Sequence, residues 1–178
     1  MIINSYNAEL EVVLQTAKRM CAAARTAPKA RGVDNIVTLI LTDSDKDNLA
    51  AKMEEIVERE QNDRLKFLLR DAGNVRNSAA VVLIGAKNAY AGLPFCSYCG
   101  YDKCASCEEN GGRCAFNMMD LGIAVGSAVS VAADDRVDNR ILYTAGKAAC
   151  EMDYLEGNII WLAIPLSIKG KNIFFDRK

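Results

Sequence analysis

The chain has 178 residues, 51% apolar and 25% charged, with 22 basic side chains against 23 acidic ones for a formal charge of −1. That is enough for one full hydrophobic core and too short for two large domains; it is ordinary globular composition, with no general electrostatic drive toward nucleic acid or an anionic membrane. Histidine is absent, which excludes Ser-His-Asp and Cys-His catalysis, histidine-based metalloprotease sites, Rieske clusters and zinc fingers that need histidine ligands.

In chain order, Leu10, Val13, Leu14, Ala17, Met20, Cys21 and Ala24 recur at helical spacing and predict an amphipathic helix over 7–25. Pro28 and Gly32 break that pattern, so 26–32 is expected to be a loop. The branched run 35–41 suits a strand buried on both faces. Thr42-Asp43-Ser44-Asp45 can cap a helix reaching about residue 60, with Leu49, Met53, Ile56 and Val57 in one stripe. A further helical piece from 63 to 71 is expected to end at Gly73, and 79–85 reads as a second buried strand. Residues 87–115 have little periodicity but contain Pro94, several glycines and five of the seven cysteines, as an insertion would.

Beyond it, 121–133 carries no charge and the preceding turn only Asp120. Thirteen such residues are too few for a bilayer, so a central buried helix is expected, and no membrane association. Gly122 and Gly126, four apart among Ala124, Ser127 and Ala128, would admit a second helix at close range, from the same chain or from another copy. A helix over 138–152, a third strand over 158–164 closed by Pro165, and a turn with a short edge strand over 167–176 complete the reading. Strands separated by long helices indicate an α/β or α+β fold without internal repeats. The N-terminus lacks the succession of a signal peptide, so a reducing cytoplasm is expected and structural disulfides are not.

The order of these elements resembles the flavin-dependent nitroreductase-like fold. Ala22-Ala-Ala-Arg25-Thr-Ala27-Pro28 before the 37–41 strand, the 78–84 strand, the 120–133 helix and the closing Trp161-Leu-Ala-Ile-Pro165 carry that resemblance over most of the chain outside the insertion. It implies an α+β three-layer sandwich, a homodimer built on the 116–133 helix, and FMN held near the Ala27-Pro28 turn. Nitroreductases usually grip the FMN phosphate with an Arg-Ser-x-Arg segment upstream; here that region reads Asn4-Ser5-Tyr6-Asn7, leaving Arg25, Lys29 and Arg31 as candidate replacements. The run from Asp120 to Arg140 beside the cysteines also resembles an uncharacterised prokaryotic family described as containing a ferredoxin-type domain.

Cys96-x2-Cys99-x4-Cys104-x2-Cys107-x6-Cys114 supplies two C-x-x-C pairs and a fifth thiol. Each pair can put two sulfurs into one turn, the pre-assembly that thiolates need to overcome mutual repulsion around a metal or cluster. Structural zinc sites usually separate their pairs by about 15–20 residues, whereas four stand between Cys99 and Cys104. The ferredoxin resemblance therefore points to an iron-sulfur centre, in a [4Fe-4S] form, with Cys96, Cys99, Cys104 and Cys107 as first ligands and Cys114 as substitute. Cys21 and Cys150 lie on apolar helical faces and are expected to be buried, inert thiols. Two functions remain open: a redox protein coupling an iron-sulfur centre to a flavin and serving an electron-transfer partner, and a non-enzymatic binding module whose insertion is held by zinc.

Overall fold

The apolar run Ala80–Lys87 forms β2, the central strand, and every residue from Ala80 to Ala86 is buried. In this computed structural model, which describes residues 2–175, β2 is flanked by β1 (Ile36–Leu41) and β4 (Ile159–Ser167), and the two-residue β3 (Asp138–Asn139) lies outside β4. All pairings are antiparallel, in the order β1-β2-β4-β3. Helices α1 (Ser5–Thr26) and α5 (Ala115–Asp134) cover one face; α2 (Asp43–Glu60), α3 (Phe67–Asn77) and α6 (Tyr143–Ala149) cover the other, and each face has its own core. The molecule is thus an α+β three-layer sandwich. A one-turn helix, α4 (Cys104–Glu109), stands in the cysteine-rich segment.

Several expectations shift in the folded chain. β1 is an edge strand, so Val37 to Ile40 are only half-buried despite their apolar run. Helix α3 passes through Gly73 to Asn77, because an added Cβ there would meet open space and nothing forces a stop. Strand β4 continues through Pro165 to Ser167. Ala163 both donates to and accepts from Leu142 on the outer side; by alternation Pro165 turns its imide nitrogen the same way, where no ladder partner is needed. Helix α6 is confined to 143–149, behind the short β3. After Ser167 no strand occurs among the described residues, and Asp176, the end of the expected edge strand, lies outside them. By length and apolarity α5 could cross a membrane, yet Leu121, Ala124, Val125, Ala128 and Ala132 pack into the core it shares with α1 and the sheet.

Buried polar groups lock the helices together. Asp71 is 3% exposed and accepts from the Thr144 hydroxyl at 2.9 Å and from Arg70 at 2.7 Å, tying α3 to α6. Buried Lys46 donates to the Arg76 carbonyl at 2.7 Å and pairs with Asp47, tying α2 to the end of α3. Each such charge must be partnered, because stripping its solvation uncompensated costs several kcal/mol or more.

The tightest packing surrounds Trp161. Its cross-strand partner is Gly85, where an added Cβ would stand 2.5 Å from the indole ring, and on the helical side a Cβ on Gly146 would stand 2.1 Å from the Trp161 carbonyl oxygen. Gly146→Ala is therefore expected to destabilise by roughly 1–3 kcal/mol or more, since a backbone atom has to move. Gly85→Ala should destabilise too, because the atoms its Cβ would meet belong to the buried Trp161 ring and Ile159, whereas Gly73→Ala should stabilise by up to about 1 kcal/mol as a better helix former. Urea unfolding of the three variants checks the order.

Candidate metal centre

The five clustered cysteines line one small cavity, walled also by Tyr90, Tyr101 and Lys103. Backbone geometry brings them there. Phe95, Ser97 and Gly100 have φ of 55°, 48° and 85°, and Gly100 donates to the Ser97 carbonyl at 3.0 Å, curling the Cys96 to Cys99 segment into a turn. Cys104 and Cys107 stand three apart on α4, hence on one face. Cys114 is the N-cap residue of α5, whose amide end favours negative charge. Cys107 and Cys114 are buried and the other three half-buried.

Cys107 is the hub. Burial pushes its thiol up, and so do a hydrogen bond with Cys99 and the neighbouring thiols of Cys99, Cys114 and Cys104. Four or five thiols converging without a histidine or carboxylate form a soft donor set, suited to zinc, copper(I) or an iron-sulfur cluster. Among the described residues no three Cys, Asp or Glu side chains are grouped closely enough to hold one ion. Zinc draws four sulfurs to about 2.3 Å from a single point; a cluster is instead ligated at separate iron corners and tolerates wider spacing.

Residues that carried no signal in the sequence shape this cavity. A Cβ on Gly112 would meet Cys107 Sγ at 2.8 Å and the Tyr101 ring at 2.9 Å, so only glycine fits. Its amide donates to the Cys107 carbonyl at 2.7 Å, and its carbonyl accepts from the Tyr90 hydroxyl at 3.0 Å. Tyr98 stacks on Phe116 with centroids 5.5 Å apart, seating the turn on the first helical turn of α5.

The three candidate flavin contacts are committed to the loop after α1. Lys29 has its ammonium on the carbonyls of Ala24, Arg25 and Ala27, closing the helix end. Arg25 pairs with Asp34 and donates to the Ile36 carbonyl at 2.7 Å. Burial raises the Asp34 carboxyl, but the Arg25 hydrogen bond, the Ile36 amide and the nearby Arg25 and Lys29 charges together hold it below its ordinary value. Arg31, at φ 57°, donates to the Ala91 carbonyl at 2.7 Å. Arg25 remains half-exposed, whereas the Lys29 side chain is 6% exposed. Of the two distant cysteines, Cys21 is half-buried, its thiol pushed up by burial. Cys150 is exposed, contrary to the buried position expected, because α6 ends at Ala149 and leaves it on the rim.

Residues 110–177 match the family model described as "Uncharacterized protein containing a ferredoxin domain (DUF2148)". The chain is also 39% identical over 185 residues to an uncharacterized protein of Archaeoglobus fulgidus, across 99% of this chain and 98% of that one. The chain belongs to this family. The matched region begins within the cysteine-rich segment and contains Cys114, α5, β3, α6 and β4. Among solved structures, the family member is similar to a nitroreductase family protein from Clostridium novyi NT, with TM-score 0.56 and 14% identity over 97% of this chain and 80% of that one. A BluB-like flavoprotein from Clostridium difficile 630 matches with TM-score 0.56 and 16% identity over 100% and 86%. An FMN-dependent nitroreductase from Clostridium difficile matches with TM-score 0.55 and 13% identity over 88% and 76%. At these identities the likeness is one of fold, and the fold is nitroreductase-like.

Gly112→Ala is expected to displace Cys107 and lower the metal bound per chain several-fold, whereas Cys21→Ser leaves it unchanged. Elemental analysis of anaerobically purified protein measures both.

Proposed function

We propose that this protein is a redox protein of the cytoplasm, in which an iron-sulfur cluster held by the clustered cysteines exchanges electrons with a flavin, FMN, on the same scaffold. The observation that carries the reading is the convergence of five thiols at the N-terminus of the central helix of a nitroreductase-like sandwich. All seven thiols are free, which suits a reducing compartment.

The thiols that act on Cys107 are those of Cys99, Cys104 and Cys114, so these four are taken as the ligand set, with Cys96 as the fifth thiol. A [4Fe-4S] cluster supplies one-electron transfer. The chain's own part is to bury two of the thiols, to set a helix N-terminus against the cluster's negative charge, and to shield it with the Tyr98–Phe116 stack. The cavity, about 20 Å³, is smaller than a cluster requires, so holding one needs the 95–100 turn, seated on α5 by the Tyr98–Phe116 stack, to shift outward. For the FMN phosphate, Arg25 and Arg31 can turn guanidinium donors to solvent, while Lys29 is withdrawn into the helix end.

Anaerobically purified protein is expected to be brown, with broad absorption near about 400 nm and close to four iron atoms per chain. Cys114→Ser should lose most of that iron and Cys96→Ser retain it. Colourless protein with stoichiometric zinc would replace this reading by a zinc-stabilised binding module. Titration with FMN, FAD and riboflavin on cluster-loaded protein tests the second cofactor: FMN should bind below about 100 μM, equivalent to about 5.5 kcal/mol, and more weakly after Arg25→Gln with Arg31→Gln. No binding by any of the three removes the flavin.

The dimer belongs to the same proposal. Met119, Gly122, Ile123, Gly126 and Ser130 form an exposed, uncharged stripe on α5, and a Cβ on either glycine would meet nothing within 4 Å in the chain. The close approach these glycines permit is therefore left for a second copy. Light scattering should return twice the 19.4 kDa chain mass, and Gly122→Ala should weaken the dimer; in a monomer the same change would only stabilise the helix, by about 1 kcal/mol.

A further inference from the structure

A second cavity of about 410 Å³ opens between α6, the 150–158 turn and the first half of β4. That is the size of a small-molecule site. It exists because β4 is unpaired on its outer side there: β3 reaches only Leu166 and Ser167, and the last outer contact is Leu142 with Ala163. Leu155, Ile160 and Trp161 give it an apolar wall, and Tyr154 lines it with a hydroxyl.

Its charge points to a ligand. Arg113 lines the cavity, and its Nη2 donates to Asn158 Oδ1, another lining atom's residue, at 2.7 Å, while Nη1 is buried with no hydrogen-bond partner. A buried guanidinium donor left unpaired is costly unless something else meets it. Lys147, also lining and exposed, makes no salt bridge among the described residues, although its charge acts on Glu151. Asp153 is the one carboxylate on the lining, with Glu151 and Asp45 acting on Lys147 and Tyr154 from outside it. Burial, and then the charge of Asp45, push the Tyr154 hydroxyl up to about 12, so it stays a neutral donor at physiological pH. Arg113 directly precedes Cys114 in the chain, so whatever it grips sits beside the thiol cavity.

We propose that this cavity binds a small organic monocarboxylate, its carboxylate held by Arg113 and Lys147 and its body against the apolar wall at Trp161. The guanidinium and ammonium groups of the lining attract an anion, and the apolar wall takes the body that carries it. The site stands whatever group the thiols hold, because none of its contacts involves the clustered cysteines.

Trp161 is the only tryptophan, so its fluorescence reports occupancy directly. Full-length protein, purified anaerobically, is titrated with benzoate, benzamide and inorganic phosphate. Benzoate should change Trp161 emission saturably and bind at least tenfold more tightly than benzamide, which lacks the charge. Arg113→Gln should weaken benzoate at least tenfold and Arg113→Lys less. Lys147→Gln, exposed and away from the cysteines, should weaken it several-fold with iron content and absorption unchanged. No saturable response, an equal response to benzamide, or unchanged affinity in both Arg113→Gln and Lys147→Gln would overturn the proposal; tighter binding of phosphate than of benzoate would overturn the carboxylate assignment. Metal content and visible absorption are read on the same samples, which separates failure of this site from failure of the redox reading.

Discussion

The interaction on which the functional end of the molecule depends is the buried carboxylate of Asp120. It is 7% exposed and accepts the Ala30 amide on both oxygens, at 3.0 and 3.1 Å. It thereby pins the loop after α1 to the first turns of α5. One turn earlier, buried Asn117 donates to the Lys87 carbonyl at 2.8 Å and fixes the point where the chain leaves β2 for the cysteine-rich segment. A carboxylate in that position is met by the one Ala30 amide shared between its oxygens, and a charge-assisted bond of this kind is worth about 1.5–3 kcal/mol. The one acid inside a helix whose only other charge is its last residue, Asp134, is thus an architectural tie.

From that tie the start of α5 becomes a junction. Cys114 caps it, Phe116 carries the Tyr98 ring, and Asn117 and Asp120 hold the two adjoining loops. The thiol cavity, the loop where the three cations gather and the cavity at Arg113 all border this junction. Thiols placed together repel once deprotonated, so the surrounding chain has to hold them. Here the holding is done by left-handed turns, by the close fit of Gly112 against Cys107, and by anchorage to a long helix whose other end is seated in the core.

The same logic explains why the nitroreductase-like scaffold can be kept while its phosphate grip is absent. The fold rests on Trp161 between Gly85 and Gly146 and on two apolar helix layers, none of which involves the segment where nitroreductases place their arginines. The cations near that loop already have partners: Lys29 neutralises a helix end, and Arg25, half-exposed at the end of α1, braces Asp34 against β1. Scaffold and cofactor contacts are separable here because they rest on different residues.

By itself the sequence determined what periodicity and spacing encode. The four long helices, the buried β2 and β4 and the grouping of five thiols follow from apolar repeats and cysteine spacing, since burial of a continuous face and pairing of nearby sulfurs are local patterns; those repeats left α/β and α+β both open, and the resemblance chose between them. Only the tertiary structure decided which strand stands at the edge, because β1 and β2 have equally apolar runs and differ only in having one neighbour or two. It also decided that Gly73 lies inside a helix while Gly85, Gly112 and Gly146 are close contacts, a distinction set by the atoms each glycine faces and invisible in its identity. The roles of Arg25, Lys29 and Arg113 and the exposure of Cys150 were settled in the same way, for the partners of a side chain are chosen by residues distant in sequence that folding brings beside it.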